Sequence, residues 1–271
     1  MYNLSLGPLT IQTSHLLMLA ALLVASGVAY VSARPHKLPV FSVLTDAALA
    51  GLAAGRIVFI LTWWELYRLR PLTMLDIRDG GFTPWAVLAG GLLAAAWRGW
   101  RNPLLRRPLG MGIVAGLLAW QFSGGSALLG GGRQPVLPAL AFASLDGGRP
   151  TLPVLAAGKP AVVNLWASWC PPCRREMPVL VDAQARRKDI AFIFVNQGES
   201  AADAVQFTSQ QPAMSNVLLD PEGHLAHAVG SSAMPTTLFY NAKGKLVDMY
   251  IGALSPATLA AKLKIMDNAS P

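Results

Sequence analysis

The sequence is short of charge and of cysteine, and each shortage narrows what the chain can be. Only 13% of its 271 residues are charged and 53% are hydrophobic, whereas a soluble domain has about 25% charged residues. This composition excludes a disordered or fibrous protein and disfavours an ordinary cytosolic enzyme. The two cysteines, Cys170 and Cys173, are too few for a disulfide scaffold or a four-cysteine zinc site.

Acidic residues are also scarce, 14 against 22 Lys and Arg, which gives a net charge of +8. The excess lies in the apolar half of the chain. Residues 1–132 hold ten basic and four acidic residues, whereas residues 133–271 hold twelve and ten. Basic loops between apolar segments usually report membrane topology. We therefore expect a lipid bilayer as partner and no nucleic acid.

Four apolar stretches predict a membrane domain over residues 1–132 with about four transmembrane helices. They are residues 16–33, 40–64, 82–97 and 108–129. A cleavable signal peptide is the alternative for the first stretch, but the usual basic residues before it are missing. The positive-inside rule places the N-terminus and everything after Leu129 outside the cytoplasm, because six of the nine basic loop residues then lie inside.

A glycine- and proline-rich segment at residues 124–138 predicts a linker, whose end is 133–138, before a domain over 139–271. In that domain strands and helices alternate. We predict strands over 161–166, 190–196, 217–219, 237–240 and 246–251, and helices over 172–187, 201–210 and 256–266, with a short helix that carries His224 and His227. The expected fold is thus a multi-span α-helical membrane region followed by an α/β layered domain.

Both cysteines lie in the motif WCPPC, residues 169–173, where a predicted strand passes into a predicted helix. A helix N-terminus offers free N–H groups and about half a positive charge, which favour a thiolate on Cys170. Cys173, one turn later, is close enough to form the disulfide. A structural disulfide closing so short a loop would stabilise little, and haem attachment needs a His where Arg174 stands. The motif indicates thiol–disulfide exchange by a redox-active disulfide, without a metal or another cofactor.

A second signal is Met234-Pro235-Thr236, just before a predicted strand. A trans proline at a strand start is one interpretation. Beside the cysteine motif we favour a cis bond, which is uncommon and usually serves a purpose, and the backbone before it can pair with an extended substrate. We expect the residues around both motifs to contact the substrate, namely Trp169, Pro171, Pro172, Met234 and Thr236.

Residues 139–267 resemble the TlpA/ResA-type thioredoxin-like proteins, which are membrane-tethered thiol–disulfide oxidoreductases of the bacterial cell envelope. The matching segments are NLWASWCPPCRREMP (164–178), VNQGES (195–200) and MPTT (234–237). The resemblance implies a thioredoxin fold with Cys170 as nucleophile, Cys173 as resolving cysteine and Pro235 as cis-proline. It also matches Glu176 to an acid near the cysteines, which can exchange a proton with a thiol. The alternative role for Glu176 is charge complementarity at the helix N-terminus.

Together with the four predicted spans, this resemblance implies an inner-membrane, multi-pass protein whose C-terminal domain lies in the periplasm and reduces disulfides of selected envelope proteins. A thiol oxidase of the same fold is the alternative, because the direction depends on the redox potential. Both cysteines belong to the soluble domain, so the spans have no thiols with which to pass electrons. We therefore expect a separate membrane electron donor or acceptor, besides substrate proteins with thiols or disulfides.

Segments of the membrane half, 54–59, 76–82 and Gly90-Gly91, resemble early spans of prolipoprotein diacylglyceryl transferase. The functional His of that family is missing, with Trp85 in its neighbourhood, which favours a reused scaffold. A lipid-binding or lipid-transfer protein with a regulatory redox domain stays open as an alternative. Arg56, a charge inside a predicted span, is a candidate ligand for a lipid phosphate, or else makes a polar contact inside the bundle.

Overall fold

The computed structural model describes residues 3–6, 9–36, 38–68, 71–123, 135–211, 214–231 and 233–269. The chain divides into two compact units. Most of the first unit is residues 11–132, and most of the second is residues 133–271. The predicted linker lies outside the described residues as far as residue 134.

Helices dominate the first unit. Ahead of these helices in the chain, strands β1 (Asn3–Leu6) and β2 (Leu9–Gln12) form a two-stranded sheet, of which residues 3–10 are grouped with the second unit. The helices are α1 (Thr13–Ala33), α2 (Val40–Thr62), α3 (Trp64–Tyr67), α4 (Pro84–Arg101) and α5 (Arg106–Phe122). Short 3-10 turns cover Arg34–His36, Pro71–Leu75, Ile77–Asp79 and Pro103–Leu105. Helix α1 packs along α5, and α2 packs along α4.

Glycines allow these two helix pairs to approach closely. A Cβ at Gly51 of α2 would lie 2.6 Å from the Val87 carbonyl oxygen of α4. A Cβ at Gly112 of α5 would lie 2.7 Å from the Ala25 carbonyl oxygen of α1. Small residues at helix contacts bring backbones together, which is a common way for helices to pack in a membrane.

The predicted spans coincide with helices to different degrees. Among the described residues, two helices are long and apolar enough to cross a membrane, Leu16–His36 and Val40–Thr62. The predicted third span lies largely in α4, which has 18 residues. The fourth begins in α5, which has 17 residues, and its end beyond residue 123 lies outside the described residues. Four membrane crossings therefore stay a prediction.

The second unit is an α/β layered domain, as the alternation of strands and helices predicts. Its strands are β3 (Ala143–Ser144), β4 (Ala161–Trp166), β5 (Ala191–Gln197), β6 (Val217–Asp220), β7 (Thr236–Tyr240) and β8 (Leu246–Ile251). Its helices are α6 (Leu152–Ala156), α7 (Pro171–Arg186), α8 (Ala201–Thr208), α9 (His224–Val229) and α10 (Pro256–Asn268). Elements β3 and α6 were not predicted, because so few residues show no periodicity.

One six-stranded sheet runs through this unit in the order β3-β6-β5-β4-β7-β8. Strands β4, β5 and β6 are parallel, and the other pairings are antiparallel. Every residue of β4, β5 and β7 is buried, since helices cover both faces. The cluster on one face includes residues of α7, α8 and α10, and the cluster on the other includes residues of α6 and α9.

Candidate active site

The cysteine pair lies where β4 ends and α7 begins. Cys170 is the N-cap of α7, and its Sγ accepts a hydrogen bond from the Cys173 N–H at 3.3 Å. The two sulfurs form a disulfide, and only 3% of Cys170 and 0% of Cys173 are exposed. Because the free N–H groups at the start of α7 are directed at this position, they stabilise a thiolate that forms on Cys170 after reduction.

Three of the predicted substrate contacts, Trp169, Pro171 and Pro172, are neighbours of the buried cysteines in the chain. Trp169 is 63% exposed, Pro171 is exposed and Pro172 is half-buried. The two prolines occupy the first turn of α7, where backbone N–H groups have no intrahelical partner. Exposed and half-buried residues therefore adjoin the buried disulfide, and contact of these three residues with a substrate stays a prediction.

The Met234–Pro235 peptide bond is cis, the form that the sequence favours. Met234 packs against the same hydrophobic cluster as the two cysteines. The carbonyl oxygen of the buried Pro235 accepts a hydrogen bond from the Gly252 N–H at 2.9 Å. The structure thus brings the segment before β7 to the surroundings of the disulfide.

The prediction that Thr236 contacts a substrate is not supported for its side chain. Thr236 is 0% exposed. Its hydroxyl donates to the Ala233 carbonyl oxygen at 2.6 Å and lies 2.8 Å from the Ser231 hydroxyl. The Thr236 side chain therefore points into the domain. Its hydroxyl stabilises the turn before β7 by these two contacts.

Glu176 lies on α7, one turn after Cys173, and is 1% exposed. Its Oε1 accepts from Asn164 Nδ2 at 2.8 Å, and its Oε2 accepts from the Leu254 N–H at 2.8 Å. Burial raises the pKa of Glu176 from 4.5 to about 7, although both hydrogen bonds favour the ionised form. The site therefore holds an acid that changes its protonation near neutral pH.

Asn164 connects Glu176 to the next strand. Its Nδ2 also donates to Thr237 Oγ1 at 2.9 Å, since Asn164 of β4 stands opposite Thr237 of β7. Its Oδ1 is buried without a hydrogen-bond partner. An amide offers both donors and an acceptor, so a rotated Asn164 can accept the O–H of protonated Glu176.

A second carboxylate, Glu199, is attached to the cysteine loop. It accepts from both the N–H and the hydroxyl of Ser168, and from Asn196 Nδ2. Sequence reasoning gave Glu199 no role, although it lies in the matching segment 195–200. The available signal was its position directly after a buried strand, the place where functional loops of parallel sheets begin.

A cavity of about 250 Å³ lies beside the disulfide motif. Its lining residues are Ser168, Arg174, Asp203, Gln206, Phe207 and Gln210. The Arg174 guanidinium lies 5.9 Å from the centre of the Phe207 ring. The wall of this cavity therefore carries charged and amide groups next to the residues that flank the cysteines.

Arg56, in the first unit, is 8% exposed and engages a single loop of that unit. Its guanidinium pairs with Asp79 at 2.8 Å, and the Tyr67 hydroxyl donates to the other carboxylate oxygen at 2.9 Å. Its remaining hydrogen bonds go to backbone carbonyls of Thr73, Met74, Asp76 and Gly81. These contacts support the polar contact inside the bundle and speak against a lipid phosphate as the partner of Arg56. Asp46, on the same helix as Arg56, pairs with Arg98 of α4.

The described residues hold no group of three His, Cys, Asp or Glu side chains that could bind a metal ion. The two cysteine sulfurs are bonded to each other. The chemistry that the described site residues offer is therefore that of a disulfide and its dithiol, with a titrating carboxyl beside them.

Comparison with known proteins places the second unit among redox proteins. The family model described as Redoxin matches residues 134–266. The thiol:disulfide interchange protein DsbE of Pseudomonas fluorescens is 31% identical over 141 residues, which are 49% of this chain and 78% of that protein. The thiol-disulfide oxidoreductase ResA of Bacillus subtilis is 29% identical over 104 residues, 38% of this chain and 58% of ResA.

The same half of the chain matches solved structures. One is a thiol:disulfide interchange protein of the thioredoxin family from Chlorobium tepidum, with a TM-score of 0.45 and 24% identity over 50% of this chain and 98% of that chain. Another is DsbF of Mycobacterium tuberculosis, with a TM-score of 0.45 and 26% identity over 49% of this chain and 98% of that chain.

Proposed function

We propose that this chain, which belongs to the family of thiol:disulfide interchange proteins that includes DsbE and ResA, reduces disulfides of selected envelope proteins. It is a protein-disulfide oxidoreductase whose redox group is a cysteine disulfide. Cys170 attacks the substrate and Cys173 resolves the mixed disulfide. The observation that carries this assignment is the Cys170–Cys173 disulfide at the N-terminus of α7, with buried Glu176 one turn further on.

The proposed reaction passes two electrons and two protons to the substrate. The Cys170 thiolate attacks one sulfur of the substrate disulfide, and the other substrate sulfur leaves as a thiolate that takes up a proton. Cys173, after losing its proton, attacks Cys170 Sγ in the mixed disulfide. The Cys170–Cys173 disulfide closes, and the second substrate thiol is released.

Glu176 suits the proton transfer from Cys173. Residues three apart share a helix face, so Glu176 and Cys173 lie on the same side of α7. A base works best when its pKa is near the operating pH, and burial brings the pKa of Glu176 to about 7. Asn164 can serve both protonation states, because it donates to the carboxylate and, rotated, accepts from the acid.

The same carboxyl favours reduction of substrates over their oxidation. A strong oxidant of this kind has a stabilised thiolate in its reduced form. A buried carboxylate near the cysteines opposes a thiolate and raises the thiol pKa. The reduced chain is then less stabilised and gives up its electrons more readily. Equilibration of the full chain with glutathione tests the direction, and a potential near about −120 mV would contradict the reductase role.

Trapping tests the assignment of the two cysteines. Cys173→Ser leaves Cys170 unable to be resolved, so a mixed disulfide with the substrate accumulates in cells and disappears on reduction. Cys170→Ser is the matched control, and it should yield no such adduct. Adducts that form equally well in both variants would overturn the assignment of Cys170 as nucleophile. Mass spectrometry of the adduct identifies the substrate.

The first unit is proposed as the membrane anchor, residues 1–132, with four spans and the domain 139–271 in the periplasm. Two helices among the described residues have the length and composition of spans, and α4 and α5 pack along α2 and α1. The charges of the loops support an outside location for the second unit.

A separate membrane protein is proposed to supply the electrons. The chain has two cysteines, and both lie in the second unit, so its anchor has no thiols for a relay. Each turnover leaves the Cys170–Cys173 disulfide, which must be reduced again from outside the chain. In the reverse direction, the same partner would be an electron acceptor.

A further inference from the structure

Glu199 holds the loop that leads to Cys170 by both of its oxygens. Its Oε2 accepts from the Ser168 N–H at 2.8 Å, and its Oε1 accepts from the Ser168 hydroxyl at 2.5 Å. Asn196 Nδ2 donates to Oε2 at 2.5 Å. Ser168 precedes Cys170 by two residues. A single carboxylate therefore fixes both the backbone and the side chain of the loop before the nucleophile.

The sheet topology brings Glu199 to this loop. Strands β4 and β5 are parallel neighbours, and Trp166 at the end of β4 stands opposite Asn196 of β5. The loops that follow both strands leave the sheet at the same edge. Gly198, with a φ of 68°, turns the chain between Asn196 and Glu199 in a conformation that favours glycine.

The chemistry of the contact requires an acceptor without donors. All three groups that face Glu199 are used as donors, and an ionised carboxylate has only acceptor sites. A glutamine of the same size would place an NH2 group against one of these donors. Hydrogen bonds to a charged acceptor are roughly twice as strong as neutral ones, so the contact specifies an anion at this place.

We propose that Glu199 is a positioning residue for the disulfide exchange of Cys170, acting through Ser168, and that its negative charge opposes ionisation of the Cys170 thiol. Ser168 and Cys170 are at most about 7 Å apart along the chain, so the carboxylate lies within roughly 10 Å of the Cys170 backbone. A unit charge at that distance near a protein surface changes a pKa by up to about one unit.

Other charged groups surround the motif and set the background for this effect. Arg174 and Asp203 line the cavity that Ser168 also borders, and Arg175 is exposed on the first turns of α7. Glu176 is buried on α7, one turn after Cys173. Glu199 differs from all of these, because it alone among them bonds directly to the loop before Cys170.

The charge is tested in the full chain with Cys173→Ser, in which Cys170 is the sole thiol. The pH dependence of alkylation then reports the pKa of Cys170. Adding Glu199→Gln should lower that pKa by up to about one unit, and raise the alkylation rate below the pKa by up to about tenfold. Glu222→Gln is the matched control, since Glu222 is an exposed carboxylate, and should change neither.

The potential provides a second measure in chains with both cysteines. Glu199→Gln should shift the equilibrium with glutathione toward the dithiol by up to about tenfold, which is about 30 mV. A variant that alters only folding would not move both quantities in this direction. An unchanged Cys170 pKa and an unchanged potential in a folded Glu199→Gln chain would overturn the role of the charge.

Two further variants separate the charge from the positioning. Ser168→Ala and Glu199→Asp keep the negative charge but lose part of the double contact, so the Cys170 pKa should stay as in the parent while substrate reduction slows several-fold. An unchanged reduction rate in both would overturn the positioning role, even if Glu199→Gln fails to fold.

The inference rests on the proposed role of Cys170, and the parent chain distinguishes the two failures. If the unmodified chain does not carry out thiol–disulfide exchange with any substrate disulfide, the proposed function is contradicted. If the unmodified chain does carry out this exchange and the Glu199 and Ser168 variants behave identically to it, only the role of Glu199 is contradicted.

Discussion

Glu176 shows how burial gives a single residue a working pKa. Its side chain accepts two hydrogen bonds and is 1% exposed, and loss of hydration raises its pKa to about 7. The unfolded chain loses this proton near pH 4.5, whereas the folded chain keeps it to about pH 7. Between these values the folded state binds more protons, so its stability falls as the pH rises.

We expect Glu176→Gln to remove this pH dependence. In the oxidised parent chain, the free energy of unfolding of the second unit should fall by about 3 kcal/mol between pH 4.5 and pH 7 and then stay level. The variant cannot ionise, so its stability should be nearly constant over the same range. Pulse proteolysis of the full chain in urea at a series of pH values measures both curves.

Asp146→Asn is the control for this experiment, because Asp146 is an exposed carboxylate of the same unit. Its profile should follow that of the parent. A parent curve that is level from pH 4.5 to 7, or that rises, would contradict a raised pKa for Glu176.

At the scale of residues, the sequence was informative where chemistry depends on neighbours along the chain. The spacing of Cys170 and Cys173, and the proline at 235, are local patterns. The partners of Glu199 and Arg56 are not local. Ser168 lies 31 residues from Glu199, and Asp79 lies 23 residues from Arg56, so no periodicity or motif connects them.

At the scale of elements, α10 begins where its sequence predicts. Ser255 is the N-cap, and its hydroxyl oxygen accepts from the Thr258 N–H at 3.1 Å, with Pro256 in the first turn. Ser255→Ala removes this acceptor, and should lower the free energy of unfolding of the second unit by about 1 kcal/mol. Ser255→Asp restores an acceptor and should recover most of the loss. If Ser255→Ala and Ser255→Asp lower the free energy of unfolding equally, the side-chain acceptor at the N-cap contributes nothing to stability.

The pairing of α2 with α4 depends on Gly51. A methyl group there would meet the Val87 carbonyl oxygen at 2.6 Å, so Gly51→Ala should push the helices apart at a cost of about 1–3 kcal/mol. The thermal loss of helical circular dichroism, for the full chain in detergent micelles, measures the effect on the first unit. Gly51→Ala should unfold at a lower temperature than the parent.

Gly27→Ala provides the matched control in α1, because a Cβ at Gly27 has nothing within 4 Å. Alanine is the better helix former, so this variant should be neutral or slightly stabilised. Equal melting temperatures for Gly51→Ala and the parent would contradict a close approach of α2 and α4.

At the scale of the whole molecule, the charges of the loops predict the orientation of the chain in the membrane, with the second unit in the periplasm. A chain without cysteine, Cys170→Ser with Cys173→Ser, accepts single new thiols. Ala242→Cys, on an exposed turn of the second unit, should react with an impermeant maleimide once the outer membrane is permeabilised. Leu104 lies between α4 and α5 and is 59% exposed. Leu104→Cys should react with the maleimide after detergent is added and not before.

Labelling of Leu104→Cys in intact cells would contradict the proposed four-span topology. Labelling at neither position before detergent would place the second unit in the cytoplasm and contradict the assignment from loop charges. The maleimide then reacts only with the introduced thiol, because two substitutions remove every cysteine of the chain.

The sequence by itself determined the location and type of the redox site. The motif at 169–173, the proline at 235 and the alternation of strands and helices depend on short stretches of chain, whose geometry is set by local turns and periodicity. Most predicted elements of the second unit therefore agree with the structure within one or two residues. Composition alone separated the apolar half from the α/β domain.

Only the tertiary structure decided which distant groups meet. It set the strand order, and with it the placing of Glu199 beside the cysteine loop and of Asn164 beside Glu176. It turned Thr236 inward and enclosed Arg56 among backbone carbonyls. The physical reason is that a pKa, a buried ion pair or a fixed loop depends on desolvation and on contacts between residues far apart in the chain, and these exist only once the elements have packed.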